Sequence, residues 1–121
     1  FHPKTPPAVR ETARIAVERD DAMLCEPVRL EFLRGVPNAH YAAVERFLTT
    51  VPLLSTPATL WADALRFARD CHRKGHPVSS MDTVIVDICV HHGAELITFD
   101  RGFEPLAKIG QFRLTVLPRI P

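Results

Sequence analysis

Asp100 is the first residue in the chain placed to do chemistry. It follows the apolar run Leu96-Ile97-Thr98-Phe99, so it emerges where a buried strand ends, and Thr98, two residues earlier, points to the same side. A carboxylate and a hydroxyl at a strand's exit suit a hard cation such as Mg2+ or Mn2+, which takes oxygen ligands. The same spacing fits an aspartate that only closes the turn before Arg101-Gly102. Asp82 is the second candidate. At roughly 100° per residue it shares a helix face with Ile85, Val86 and Cys89 and points inward. Thr83, Asp87 and His91 form the opposite, polar stripe, with Asp87 in water and able to pair with His91. A capping box with Ser79, or complementing of the helix dipole, stays open for Asp82. Glu31 is the third, set among Val28, Leu30, Phe32 and Leu33 in a segment patterned for burial, where an unpaired glutamate is costly. A surface ion pair with Arg29 or Arg34 is the alternative. Together the acids would make an oxygen-rich site of the type used in metal-assisted phosphodiester cleavage.

Other constellations are weaker. His72 and His76 have i,i+4 spacing beside Cys71, but Gly75 and Pro77 break the helix there and structural zinc wants four well-spaced ligands. Arg69, His72, Arg73 and Lys74 complement a helix carboxyl end. Ser79 and Ser80 lack an evident base, and no glycine-rich phosphate loop exists. Trp61 and Phe67 fall on a helical pattern and are expected in the core rather than as base-stacking platforms.

The elements that must hold these residues read as an alternation. Helical spacing runs from Val9 to the Asp20-Asp21 turn, then Met23–Cys25 is a short strand. Pro27 sits in the first turn of a helix closed by Gly35, Ala39–Leu48 is a helix, and Val51–Leu54 is strand-like. Helices over Thr59–Lys74 and Met81–His92 precede a strand at Leu96–Phe99, a short helix at Phe103–Ile109 and a last strand at Leu114–Leu117. Short apolar strands between helices predict an α/β fold with a parallel sheet, whose reactive groups gather beyond the strands' carboxyl ends.

Composition narrows the class. At 121 residues, 46% hydrophobic and 24% charged, the chain fits one globular domain spanning 1–121 and is neither disordered nor collagen-like. No apolar run nears the ~18 residues that cross a bilayer. Fifteen basic against fourteen acidic residues leave a net charge of +1, which excludes affinity through blanket phosphate coverage but allows a local basic rim; Arg29, Arg34, Arg101 and Lys108 are possible members. Three widely spaced cysteines without a Cys-x-x-Cys fit a reducing cytosol better than a disulfide framework.

The order of these pieces resembles a known family. Pro27-Val28-Arg29-Leu30-Glu31-Phe32-Leu33-Arg34-Gly35 resembles the glutamate-bearing segment of PIN domains, especially the VapC-type toxin ribonucleases. Ser80-Met81-Asp82-Thr83-Val84-Ile85, running on to His91-His92-Gly93-Ala94-Glu95-Leu96-Ile97-Thr98-Phe99-Asp100-Arg101-Gly102-Phe103, is similar to the family's block of an Asp opening a helix, then Gly-Ala, a strand and Thr-x-Asp. The resemblance implies a three-layer α/β/α fold and a cytoplasmic, Mg2+- or Mn2+-dependent endoribonuclease that hydrolyses RNA. Glu31, Asp82 and Asp100 would be metal-binding acids and Thr98 a polar supporter. It also implies a homodimer and a cognate antitoxin that covers or enters the cleft.

Two departures accompany the resemblance. PIN domains open with a strand ending in an Asp, and that segment does not precede Val9 here, so roughly a dozen further residues are expected upstream of Phe1, mostly strand at ~3.3 Å per residue. Gly102 stands where many relatives carry another acid. These departures motivate a second reading, a non-catalytic PIN-like module that pairs with a protein or RNA partner. A phospho-accepting receiver domain would want an acid pair near its start and a late Lys, and neither is evident.

Overall fold

The computed structural model describes residues 7–118. They form two compact units, one ending at Leu54 and the other beginning at Ser55.

The first unit opens with α1 (Pro7–Glu18), where Pro7 occupies a position whose missing N–H costs nothing. Arg14 holds it together from the outside, pairing with Glu11 and Glu18 one turn to either side. After the turn at Asp20-Asp21 the chain extends through Leu24, whose N–H donates to Pro52 O at 2.9 Å and whose carbonyl accepts from Leu54 at 2.7 Å. The strands expected at Met23–Cys25 and Val51–Leu54 are thus reduced to a single parallel bridge between Leu24 and Leu53. Pro52 has no N–H to offer a longer ladder.

Helix α2 (Glu26–Arg34) starts from an extended Cys25 with Pro27 in its first turn and stops at Gly35. Helix α3 (Asn38–Leu48) packs on it. Leu33, Val36, Val44 and Leu48 make the buried core of this unit, with Leu24, Phe32 and Phe47 packed against it. Burying each such side chain contributes about 1.5–3 kcal/mol, which holds the pair of helices despite their shortness. Leu30, grouped with this core by its sequence neighbours, is instead 58% exposed. It shares its side of α2 with Glu26 and Arg34, one turn before and after, and both face water.

The second unit is built from α4 (Leu60–Arg73), α5 (Ser80–His92), the strand β1 (Leu96–Thr98), α6 (Phe103–Gly110) and the strand β2 (Leu114–Val116). The strands pair in parallel, Leu96 opposite Leu114, Ile97 opposite Thr115 and Thr98 opposite Val116, with α6 as the crossover that parallel pairing requires. The α/β character and parallel pairing are those the alternation predicts. α5 ends at Gly93, whose φ of 62° closes the helix in the left-handed region that a side chain resists. The Arg113 guanidinium then binds Gly93 O at 2.8 Å and ties the start of β1 to the start of β2.

α4 packs on α5 and on α6, and Leu60, Ala64, Cys71, Ile85, Val86, Ile88, Cys89, Leu96, Phe103 and Leu106 are buried. Gly110 sets the approach of α6: a Cβ there would lie 2.9 Å from Phe67 Cε1 and 3.0 Å from Phe112 Cδ1. Trp61 corrects the sequence expectation. It is 75% exposed, and Leu65 beside it 61%, because the packed stripe of α4 runs through Leu60, Ala64 and Cys71 while Trp61 and Leu65 lie a quarter-turn round the helix.

Candidate active site

The carboxyl end of β1 and the first turn of α5 carry the acids of the second unit. Asp100 follows β1 by two residues and is exposed. Its N–H donates to Thr98 Oγ1 at 3.1 Å, and its own Oδ1 accepts from the Gly102 N–H at 2.7 Å. The turn reading of Asp100 is therefore realised, and it orients the carboxylate through one oxygen while leaving Oδ2 outside the turn. Gly102 follows from the same geometry. A Cβ at that position would lie 3.0 Å from Asp100 Oδ1, so any acid there makes the Asp100 carboxylate shift.

Asp82 sits at the third position of α5. Ser79 is the N-cap, in extended conformation, and its Oγ accepts from the Asp82 N–H at 3.1 Å, while Thr83 donates its hydroxyl to Ser79 O at 2.7 Å. Ser79 thus caps the helix through the Asp82 N–H, the forward bond of the expected box. Asp82 is nonetheless half-buried, and loss of hydration raises its pKa above the ordinary carboxylate value; the Ser79 hydroxyl opposes the shift and the charge of Asp100 adds to it. The charge of Asp100, eighteen residues further along the chain, thus reaches Asp82.

Glu31 belongs to the first unit. It is half-buried on α2. The surface pair expected with Arg29 or Arg34 does not form among the described residues: Arg29 turns to Glu45, at 3.9 Å. Its charge reaches Cys25, whose thiol is pushed up chiefly by burial.

Asp87 overturns its expectation. Read as water-facing with Thr83 and His91, it is only 8% exposed and Thr83 only 4%. Its Oδ2 is buried with no hydrogen-bond partner among the described residues. Burial raises its pKa, the charge of Asp63 adds to this, and His91 and Arg66 oppose it. The signal was in the sequence: α5 carries Val84, Ile85, Val86, Ile88, Cys89 and Val90, apolar on every side, so most of it has no face left for water.

No group of three or more His, Cys, Asp or Glu side chains is placed to hold a metal among the described residues. His72 and His76 are exposed, while Cys71 beside His72 is fully buried. None of the described helices is long and apolar enough to cross a membrane.

The sequence matches the PIN domain family over residues 6–109. The chain belongs to the PIN-domain family. Among curated relatives of this PIN domain are the VapC ribonuclease Mb1587 of Mycobacterium bovis and ribonuclease VapC11 of Mycobacterium tuberculosis, each 31% identical over 103 residues, covering 82% of this chain and 71% of the relative. They place the PIN domain with the VapC-type members. In fold it is similar to DNA-bound VapBC from Salmonella typhimurium, with a TM-score of 0.70 over 92% of this chain and 85% of that one, at 22% identity.

Proposed function

We propose that this PIN domain is a metal-dependent endoribonuclease of a toxin–antitoxin system, hydrolysing RNA phosphodiester bonds in the cytoplasm. The observation that carries the reading is the placement of two acids at element ends, Asp82 in the Ser79-capped first turn of α5 and Asp100 in the hydrogen-bonded turn that leaves the carboxyl end of β1. Their ribonuclease-named relatives and the Thr-x-Asp strand exit support it.

The donor set fits a hard cation. Asp82 and Asp100 offer oxygen atoms only, and Asp100 Oδ2 lies outside the hydrogen-bonded turn that holds Oδ1. Mg2+ binds through one or two carboxylates and keeps several waters, so two acids suffice to hold it, and Mn2+ suits the same oxygens. When bound, the cation supplies charge stabilisation for the transition state of phosphoryl transfer and a more acidic water. The chain's own part is positional. The Gly102 N–H fixes one oxygen of Asp100, Thr98 Oγ1 anchors the backbone of Asp100, and the Ser79 cap fixes the turn that carries Asp82. Thr98 keeps its hydroxyl proton for a further acceptor and is the polar supporter in this reading. Glu31 is carried as a metal-binding, catalytic acid by its segment's likeness to the family alone and is tested by its own variant. An antitoxin partner and a homodimer complete the proposal.

The test is incubation of the full protein, freed of antitoxin, with structured RNAs in Mg2+, in Mn2+ and in EDTA, beside Asp100→Asn. Cuts that need metal and vanish in the variant are expected. A folded protein that cuts under no condition favours the second reading, a PIN-like binding module, which the glycine at 102 already motivates.

A further inference from the structure

A pocket of about 350 Å3 opens where α4 ends, walled by Ala68, Arg69, His72 and Arg73 of the helix and by Pro77 and Val78 of the loop that follows. Its lining combines three aliphatic residues with two arginines and a histidine. The whole chain has a net charge of only +1, so this concentration is local and not a sample of a generally basic surface. Arg73 is engaged by Asp70, whereas the exposed Arg69 makes no ion pair among the described residues.

Basic residues at a helix carboxyl end complement its dipole, but that role needs neither a pocket nor a second wall. Here the second wall is the loop that leads to one candidate acid: Val78 immediately precedes the Ser79 cap, and Asp82 lies in the turn that this cap begins. We infer that the pocket binds a backbone phosphate of the RNA strand beside the one to be cut, with Arg69 on the phosphate oxygens and a sugar or base against Ala68, Pro77 and Val78. This rests on the ribonuclease reading. A guanidinium matches phosphate in shape as well as charge, and the aliphatic lining residues suit the less polar part of a nucleotide. An acidic peptide meets the same arginines but would also approach Asp82, four residues beyond Val78, against which it brings only more negative charge. An RNA strand presents its scissile phosphate to a cation there and its neighbour to Arg69.

The measurement is fluorescence anisotropy of the full protein with a short fluorescein-labelled single-stranded RNA in EDTA, which separates binding from cutting, over a series of salt concentrations. Arg69→Gln is expected to bind roughly tenfold more weakly and to flatten the slope of log Kd against log salt by about 0.7, the share of one phosphate on a single strand. Arg69→Lys should restore most of the salt slope, and a thermal melt should show both variants folded, since Arg69 is exposed. Equal affinity and slope in Arg69→Gln and the parent overturn the subsite and leave the nuclease reading standing. A parent protein that binds no RNA overturns both. A glutamate-rich peptide is run in parallel; if Arg69→Gln loses the peptide and keeps the RNA, the pocket docks a protein and the inference fails.

Discussion

The acids of the two units are held in different ways. Asp82 and Asp100 each stand at the end of an element, one under a Ser79 cap and one in a turn closed by the Gly102 N–H, so short-range hydrogen bonds fix the backbone that carries them. Glu31 is mid-helix on α2, with no ion pair among the described residues and with packing alone to aim it. A carboxylate at an element's end inherits its direction from backbone chemistry only a few residues away. One in the middle of a helix inherits it from whatever the helix leans on, here the cluster around Leu33, Val44 and Leu48. The first kind survives changes in distant packing and the second does not.

The strongest way to break this comparison is to remove a charge. Asp82→Asn is expected to lower the cleavage rate by about a hundredfold or more, the scale of losing a group that acts on the transition state. Its melting temperature should hold or rise, because the substitution removes a charge that burial disfavours and keeps the backbone cap. Glu31→Gln run beside it sharpens the contrast: equal losses from the two variants would show that mid-helix placement is no handicap.

Asp87 offers the next largest effect and concerns stability rather than rate. A buried carboxylate oxygen without a partner costs about 1–3 kcal/mol, so Asp87→Asn or Asp87→Leu should stabilise the protein by that order at neutral pH in urea unfolding. The pH dependence fixes the cause. Burial raises the folded carboxyl's pKa above its ordinary 3.8, so the penalty is absent below that value, grows as pH rises from there, and is complete above the raised pKa. The advantage of the variant must therefore shrink on acidification through this window. An advantage constant from neutral pH to below 3.8 would assign the effect to packing instead.

The smallest effect tests the cap itself. Ser79→Ala should cost about 1 kcal/mol, read as a lower urea midpoint at unchanged slope. If cleavage falls far more than stability does, the cap serves chiefly to aim Asp82.

Much of this was legible in the sequence because it is local. The helices over α2, α4 and α5 carry proline, glycine and serine signals at their ends, and the family block from Ser80 to Phe103 spans Asp82 and Asp100 in one contiguous stretch. What the sequence hid is which side of each helix another element covers. Asp87, Trp61 and Leu30 all follow sound local patterns, and each was misplaced for the same reason. A helical wheel gives the angles between side chains but not the direction of the core, and α5 is enclosed where a polar stripe predicts water. The strand at Val51–Leu54 fell short because Pro52 breaks the ladder that its apolar neighbours promise.

Trp61 is the chain's single tryptophan and stands on the surface of α4. Its indole already emits from water in the native state, so unfolding changes its surroundings little, and intrinsic fluorescence makes a poor gauge of folding in this protein. The same property makes it a silent reporter that lights on contact. A blue shift in tryptophan emission on mixing with another molecule locates that molecule on the outer face of α4, with no label added and no competing signal from the core.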